Sequence, residues 1–152
     1  MDELTPLHPN YVKVVRLAAL GAMLPFAIGA LVLEQASVLP TGAFIVPVLL
    51  AGLYLVIRAP LRRYHARGYQ MGDDRLRVVR GLVFRSDTVV PFGRVQHIDV
   101  EQGPVERGYG LATLVLYTAG THNASVSLPG LAHSDALEMR EAIRARVKRE
   151  TL

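Results

Sequence analysis

Histidine and carboxylate side chains lie close together in one short stretch of the sequence, QHIDVEQGPVERGYG (residues 96–110). The stretch carries His97, Asp99, Glu101 and Glu106 within ten positions. These residue types act as general acids and bases in enzymes, and they also ligate metal ions. The same pattern is typical of the polar face of a strand that leads into a turn. The choice between these interpretations decides whether the chain is an enzyme or a binding and assembly module.

The strand interpretation is favoured by the alternation of apolar and polar residues. Ile98 and Val100 would share one face of a strand. A period of two then places His97, Asp99 and Glu101 on the opposite face. Alternate strand positions lie about 6.5–7 Å apart, too far for three short side chains to converge on one ion without another strand. We therefore predict no metal site, and the remaining histidines show no ligand spacing: His8, His65, His122 and His133.

No residue of the chain stands out as a catalytic nucleophile. The sequence has no cysteine, which excludes disulfides and thiolate chemistry. Ser125 and Ser127 lie in no G-x-S-x-G motif. The Gly-Tyr-Gly of residues 108–110 lacks the lysine and the following helix of a phosphate loop. We predict a protein that is not an enzyme and binds no cofactor. A membrane-bound hydrolase that uses His97 or Asp99 is the least favoured alternative.

Two long uncharged stretches, residues 17–33 and 38–57, hold most of the apolar character of the chain. A helix needs roughly 20 apolar residues to cross the bilayer core. The second stretch meets this length, and the first reaches it when residues 12–16 are included. Membrane helices tolerate prolines such as Pro25 and Pro47, because neighbouring helices satisfy the freed carbonyls. The sequence predicts a transmembrane hairpin with spans at about 12–33 and 38–57.

A cleaved signal peptide or a pair of buried core helices would fit the apolar stretches less well. Signal cleavage would need a small-x-small site, and EQASVLP (residues 34–40) offers none. Two buried core helices would need a larger domain to cover them. Within the hairpin, Gly21, Pro25 and Gly29 recur every fourth residue. This small stripe predicts the face on which the first span packs against the second.

Basic residues flank the two apolar stretches and are absent from their connection, residues 34–41. Lys13 and Arg16 precede the first stretch, and four arginines follow the second: Arg58, Arg62, Arg63 and Arg67. The positive-inside rule predicts that both termini face the cytoplasm, in the inner (cell) membrane. We expect a cytoplasmic segment (1–11), the hairpin (12–58) and a cytoplasmic domain (64–150).

Short strands separated by turns are predicted beyond residue 64. Gly72-Asp73-Asp74 and Arg80-Gly81 are turn signals, and the second comes before a short predicted strand at Val83-Phe84. LATLVLYT (residues 111–118) is apolar enough for a central strand. ASVSL (residues 124–128) alternates, with three side chains predicted to point inward: Ala124, Val126 and Leu128.

A helix is predicted to close the domain, with Ser134 as its N-cap and acidic residues in its first turn. Its apolar stripe comprises Ala136, Met139, Ile143 and Val147. Turn-linked strands followed by one amphipathic helix predict a small antiparallel barrel or sandwich with a helix across one end.

The stretch VVPFGRVQHIDVEQGPVERGYGLATLVLYTAG (residues 89–120) resembles the central part of the bacterial membrane-anchored pleckstrin-homology (PH)-like family. The matching features are Pro91, Phe92, Arg94-Val95-Gln96, Val100, Gln102-Gly103-Pro104, Arg107, Gly110-Leu111-Ala112, Thr118-Ala119-Gly120 and Leu128-Pro129-Gly130-Leu131. The resemblance extends to the two preceding spans and the closing helix. It implies a membrane helical hairpin plus a mainly-β domain, a PH-like bent antiparallel barrel of about seven strands capped by a C-terminal helix.

The resemblance also implies a non-catalytic binding and assembly module that associates with itself or with a related PH-like membrane protein. Envelope maintenance or stress response is the role expected for it. The residues expected to organise a turn or a contact surface are Arg94, Gln96, Gln102, Gly103, Pro104, Arg107 and Gly110. The alternative function is recognition of anionic lipid headgroups by Arg58, Arg62, Arg63 and Arg67, which follow the second span. The expected partners include the lipid bilayer and exclude nucleic acid.

Overall fold

The structure, a computed structural model, describes residues 4–36, 40–81, 83–120 and 125–150, the last residue without its side chain. The chain forms two compact units. Val12–Arg62 makes up the first, and the described residues of Met1–Tyr11 and Arg63–Leu152 make up the second. The predicted inward position of Ala124 lies outside the described residues.

The first unit contains most of two long apolar helices, α1 (Tyr11–Gln35) and α2 (Ile45–His65), whose outer ends, Tyr11 and residues 63–65, belong to the second unit. At 1.5 Å per residue they are about 37 and 31 Å long, enough for a hydrocarbon core of about 30 Å. Only 6% of the most apolar window of each helix is buried, unlike the core helix of a soluble domain. Helix α2 begins at Ile45, whereas the second predicted span begins at Val38. The carboxylate of Glu34 accepts hydrogen bonds from the backbone N–H groups of Gly42 and Phe44 in the connection.

The contact between α1 and α2 does not use the predicted small stripe. A Cβ atom placed on Gly21 or Gly29 would meet nothing within 4 Å. The close approach is made by Gly52 of α2, where a Cβ atom would lie 3.3 Å from the sulfur of Met23. Ala30, seven residues after Met23 and therefore on the same helical face, is 5% exposed. The prediction of the packing face was wrong because the small residue at the contact belongs to the other helix.

The second unit is a β domain of two three-stranded antiparallel sheets with a closing helix. Its elements are β1 (Gly68–Met71), β2 (Arg75–Arg80), β3 (Ser86–Pro91), a single 3₁₀ turn (Phe92–Arg94), β4 (Val95–Glu101), α3 (Pro104–Gly108), β5 (Leu111–Thr118), β6 (Ser125–Ala132) and α4 (His133–Glu150). The strand orders are β1-β2-β3 and β4-β5-β6. Strand β5 is central, as its apolar sequence predicted.

The described part of the chain holds six strands, where about seven were expected. The stretch after the predicted turn at Arg80-Gly81 is the reason. Gly81 has a φ of +127°, and a Cβ atom there would overlap the carbonyl of Phe84. Val83 and Phe84 lie in the β2–β3 loop and form no strand.

Helix α4 packs on the β domain through the predicted stripe. Ala136, Met139 and Ile143 are buried, and Val147 is half-buried. The helix begins at His133, directly after β6, so Ser134 lies within its first turn and is not the N-cap. The cap prediction was wrong because strand and helix follow each other without a connecting residue.

The far half of α4 is fastened to the first sheet by Arg146. Its guanidinium donates a hydrogen bond to the carbonyl of Gly72 in the β1–β2 turn. The same group lies 5.8 Å from the centre of the Phe92 ring, which is fully buried. Cation–π contact and hydrogen bond together join α4 to both the turn and the core.

The N-terminal segment, residues 4–11, belongs to the β domain. Thr5 forms an antiparallel bridge with Tyr69 of β1, and the N–H of His8 donates to the carbonyl of Gly130 in β6 (2.7 Å). The segment therefore hydrogen-bonds to one strand of each sheet. Leu7 is 2% exposed, so the segment also adds to the core.

Tyr11 packs against both Gly130 and Arg67. A Cβ atom on Gly130, whose φ is +75°, would lie 2.8 Å from the Tyr11 ring. Arg67 donates a hydrogen bond to the Tyr11 hydroxyl (2.5 Å) and lies over its ring. The hydroxyl of Tyr64 donates to the carbonyl of Leu7 (2.8 Å). Tyr11 at the start of α1 and Tyr64 near the end of α2 thus both belong to the second unit.

We expect Gly130→Ala to lower the free energy of unfolding by about 1–3 kcal/mol, because it combines left-handed strain with a clash against Tyr11. Gly110→Ala has the same strain (φ +68°) but no neighbour within 4 Å, so its loss should be smaller. Gly108→Ala has neither and should be neutral. Thermal unfolding of the intact protein in detergent measures the series. Equal losses at Gly130 and Gly110 would contradict the contact with Tyr11.

Candidate functional site

The connection between β4 and β5 is built by the motif that the sequence singled out. Gly103 precedes α3, and Pro104 occupies its first position, where a missing N–H costs nothing. Glu106, three residues after Gly103, accepts a hydrogen bond from the Gly103 N–H (2.8 Å). Its second carboxylate oxygen accepts one from the Thr113 hydroxyl of β5 (2.9 Å). One side chain therefore holds the start of α3 and fixes it to the sheet.

Gln102 closes the same connection from its opposite side. Its side-chain amide donates to the carbonyl of Leu111 at the start of β5 (2.8 Å). Gly110, in the left-handed region, accepts a hydrogen bond from the N–H of His133 at the start of α4 (3.0 Å). Gln102, Gly103, Pro104 and Gly110 therefore have structural roles that shape this connection.

The outward side chains of the connection form a surface of their own. Val105, Arg107 and Tyr109 are all exposed, and we call these three residues the α3 surface. Across the described residues, the Arg107 side chain has no hydrogen bond or ion pair. The α3 surface thus combines two apolar side chains with a cation and rests on a connection fastened from within.

Arg94 and Gln96 do not belong to this surface. Arg94 lies just before β4 and Gln96 near its start, eight and six residues before Gln102, or about 26 and 20 Å along an extended chain. The carbonyl of Arg94 accepts a hydrogen bond from the N–H of Ala119, just after β5 (3.1 Å). Both side chains are exposed. The motif therefore divides into two separate places on the β domain.

His97 and Asp99 are brought together, and Glu101 is not. The Nε2 atom of His97 lies 2.8 Å from Oδ1 of Asp99, and its ring centre lies 6.0 Å from that of Tyr117 on β5. The side chains of His97 and Asp99 are 66% and 43% exposed, so the pair lies on the open face of the sheet. Within the residues that the structure describes, no three His, Asp or Glu side chains are grouped as metal ligands.

The four arginines after the second apolar stretch fall into two groups. Arg58, Arg62 and Arg63 lie exposed on the last turns of α2. Arg67 is half-buried and engaged with Tyr11 through its hydrogen bond and ring contact. Three of the four therefore point outward, and the fourth joins the N-terminal segment to the β domain.

The ion pairs on and beside the first sheet lie at the protein surface. The hydrogen bond from Arg77 of β2 lowers the pKa of Asp87 on β3, and Arg75 does the same to the pKa of Asp74. Burial raises the pKa of the Tyr69 hydroxyl, with a further contribution from the charge of Asp135. Both shifted carboxylates have arginine partners, which account for their lowered pKa values.

Two features of the β domain were not predicted from the sequence, the role of Glu106 and the attachment of residues 4–11. The role of Glu106 was accessible, since a Gly-Pro start followed by Glu at the third helical position is a helix-initiation signal. The attachment of residues 4–11 had no local signal, because it depends on contacts with Tyr69 and Gly130, which lie more than 60 residues away in the sequence.

Two exposed apolar helices followed by a β domain with a closing helix define a membrane protein with two spans and a folded β domain. A family model described as "Bacterial PH domain" matches residues 15–147, which include most of both helices and the whole sheet region. The chain therefore belongs to the bacterial PH domain family, and the β domain is PH-like.

Two individual proteins are similar to the chain. The UPF0699 transmembrane protein YdbS of Bacillus subtilis (strain 168) is 32% identical over 95 residues, or 62% of this chain and 58% of that protein. The chain thus matches less than two thirds of the length of this relative. A DUF1696 family protein with a pleckstrin-homology domain from Shewanella loihica PV-4 has a solved structure with a TM-score of 0.42 and 18% identity, covering 56% of this chain and 74% of that one.

Glu106→Ala should lower the free energy of unfolding by about 1–3 kcal/mol, because two donors lose a charged acceptor. Glu101→Ala is the matched control. Glu101 is exposed on the neighbouring strand, and its removal should change stability by less than about 0.5 kcal/mol. Thermal unfolding of both variants in the same detergent measures the difference. Indistinguishable midpoints would refute the part that Glu106 plays in holding α3.

Proposed function

We propose that this protein is a non-catalytic binding and assembly module, held at the cytoplasmic face of the membrane. Its PH-like domain associates with a second copy of the chain or with a related membrane protein that carries the same kind of domain. Membership in the bacterial PH domain family supports a membrane-associated PH-like module. The assembly role rests on the α3 surface.

The observation that carries this proposal is the contrast between the inside and the outside of the β4–β5 connection. Glu106 and Gln102 fix the connection with three side-chain hydrogen bonds. Folding has therefore already ordered this connection, so binding a partner causes little further loss of conformational entropy there. Val105 and Tyr109, together with the unpaired charge of Arg107, are then presented in a defined arrangement. Arginine and tyrosine are among the residue types most enriched where protein interfaces gain their energy.

Membrane attachment favours association on such a small surface. Two partners confined to the same bilayer lose less translational and rotational freedom on binding than two soluble proteins do. Their effective concentration is also raised, as it is for linked modules. A surface of one helical turn can then suffice for a specific contact.

Positive-inside logic supports the cytoplasmic location. Lys13 and Arg16 begin α1, and Arg58, Arg62 and Arg63 lie near the end of α2. The connection between the helices is free of lysine and arginine. Orientation follows the side richer in these residues, so the two helix ends that carry them face the cytoplasm.

We expect Val105→Asp combined with Arg107→Glu to reduce association at least about tenfold, equivalent to about 1.4 kcal/mol. Association is measured as recovery of an untagged copy, or of a second PH-like membrane protein, with tagged intact protein in mild detergent. The control, Val89→Asp combined with Arg149→Glu, makes the same charge changes at exposed positions elsewhere. A strictly monomeric wild-type protein, or equal losses in both double variants, would contradict the proposal.

Orientation is tested by single cysteines, since the chain has none. Glu138→Cys lies on the exposed face of α4, and Thr41→Cys lies in the helix connection. A membrane-impermeant thiol reagent should label Glu138→Cys only in inside-out vesicles and Thr41→Cys only in right-side-out vesicles. The reverse pattern would put the β domain outside the cytoplasm and overturn this part of the proposal.

A further inference from the structure

The β2–β3 loop, residues 81–85, carries the most exposed large apolar side chains of the described residues. Val83 is 83% exposed and Phe84 is 88% exposed. No described large apolar side chain of α1 or α2 exceeds 63%. The next large apolar side chain of the β domain, Val89, is 47% exposed. Single apolar residues on a surface are ordinary, but two adjacent ones at this exposure call for a partner surface.

The conformation of the loop is specified by the sequence. Gly81 has a φ of +127°, and a Cβ atom there would lie 1.8 Å from the carbonyl oxygen of Phe84. Only glycine permits this close approach of backbone to backbone. The strand register continues up to the loop, since Arg80 pairs with Ser86. The two apolar side chains therefore follow closely after a backbone position that only glycine can occupy.

The register also fixes which end of the β domain carries the loop. Gly68, the first residue of β1, pairs with Val79 near the end of β2. The loop that follows β2 therefore lies at the end of the domain where the chain arrives from α2. Val83 and Arg85 line a groove of about 510 Å³ together with Tyr64, His65 and Arg67. The loop and the residues that close α2 thus share one surface.

The residues of that surface follow the apolar run of the second helix closely in the sequence. Ile57 ends the apolar run of α2, and Tyr64 follows seven residues later in the same helix. Seven residues correspond to about 10 Å of helix, a few ångström more than one headgroup layer, which is about 5–8 Å deep. The residues between them include three exposed arginines, Arg58, Arg62 and Arg63.

The positive charges around the loop suit the interface of a bilayer. Arg80 and Arg85 flank the apolar pair, and Arg67 lines the shared groove. Cationic side chains around an apolar tip are the combination that binds the interface of a bilayer with anionic lipids.

We propose that the β2–β3 loop inserts Val83 and Phe84 into the interfacial layer of the bilayer that the two helices span. Arg80 and Arg85 contact lipid phosphate groups beside it. The loop is a third membrane attachment of the chain, separate from the α3 surface and independent of the partner proposed above. It fixes the orientation of the β domain at the membrane surface.

The experiment uses the intact protein with Phe84→Trp, which introduces the only tryptophan of the chain. The variant is reconstituted into vesicles of phosphatidylcholine and phosphatidylglycerol, with ordinary or brominated acyl chains. We expect blue-shifted emission that is largely lost in brominated lipid. Tyr117→Trp is the matched control. It places the indole near the far end of β5, where emission should be insensitive to bromination.

Two results would overturn the proposal. Emission like that of free tryptophan in water would show that the loop stays in solvent. Blue-shifted emission that brominated lipid does not quench would show that protein, and not lipid, covers the loop. In Phe84→Trp protein, replacing Arg80 and Arg85 by glutamine should weaken quenching in the anionic vesicles, and unchanged quenching would overturn the role of the arginines.

Discussion

The contact between the Tyr11 ring and the backbone of Gly130 is the constraint on which the arrangement of the second unit depends. It requires a glycine with a φ of +75°, because a Cβ atom would lie 2.8 Å from the ring. Arg67 also holds the ring, through a hydrogen bond and a cation–π contact. With Tyr11 fixed, residues 4–11 pair with β1 and β6 and contribute to the core. The residues where the chain enters α1 and leaves α2 thereby become part of the folded β domain.

Residues 102–110 hold the β4–β5 connection in place in a similar way. Its polar side chains satisfy backbone groups that a short helix would leave without partners. Glu106 accepts from Gly103 and Thr113, and Gln102 donates to Leu111. The polar side chains of Gln102 and Glu106 are therefore engaged in hydrogen bonds that shape the connection. The outward side chains of the connection, Val105, Arg107 and Tyr109, are apolar or cationic.

Local patterns predicted those parts of the fold that depend on local forces. The apolar run of residues 111–118 became the central strand with the predicted bounds, and Ala136, Met139 and Ile143 became the buried stripe of α4. The strand face with His97 and Asp99 was predicted as exposed. Their direct contact was not predicted, since spacing along a strand gives the distance between Cα atoms and not the reach of the side chains.

Features that depend on distant parts of the chain escaped prediction. The small stripe of α1 does not face α2, because the contact instead uses Gly52. The loop at Val83 and Phe84 read as strand-like because its residues are apolar and suited to strands. Only the backbone around Gly81 shows that they form a turn with exposed side chains. The two candidate surfaces, on α3 and on the β2–β3 loop, could be recognised only once exposure was known.

The central claim is that this chain is a membrane-anchored PH-like module that works in an assembly. The most direct test is the mass of wild-type particles extracted from the native membrane with a lipid-retaining polymer and measured by native mass spectrometry. The account predicts particles that contain at least two PH-like chains, either two copies of this protein or this protein with a related one. Particles that contain a single copy of this chain and lipid alone would contradict it.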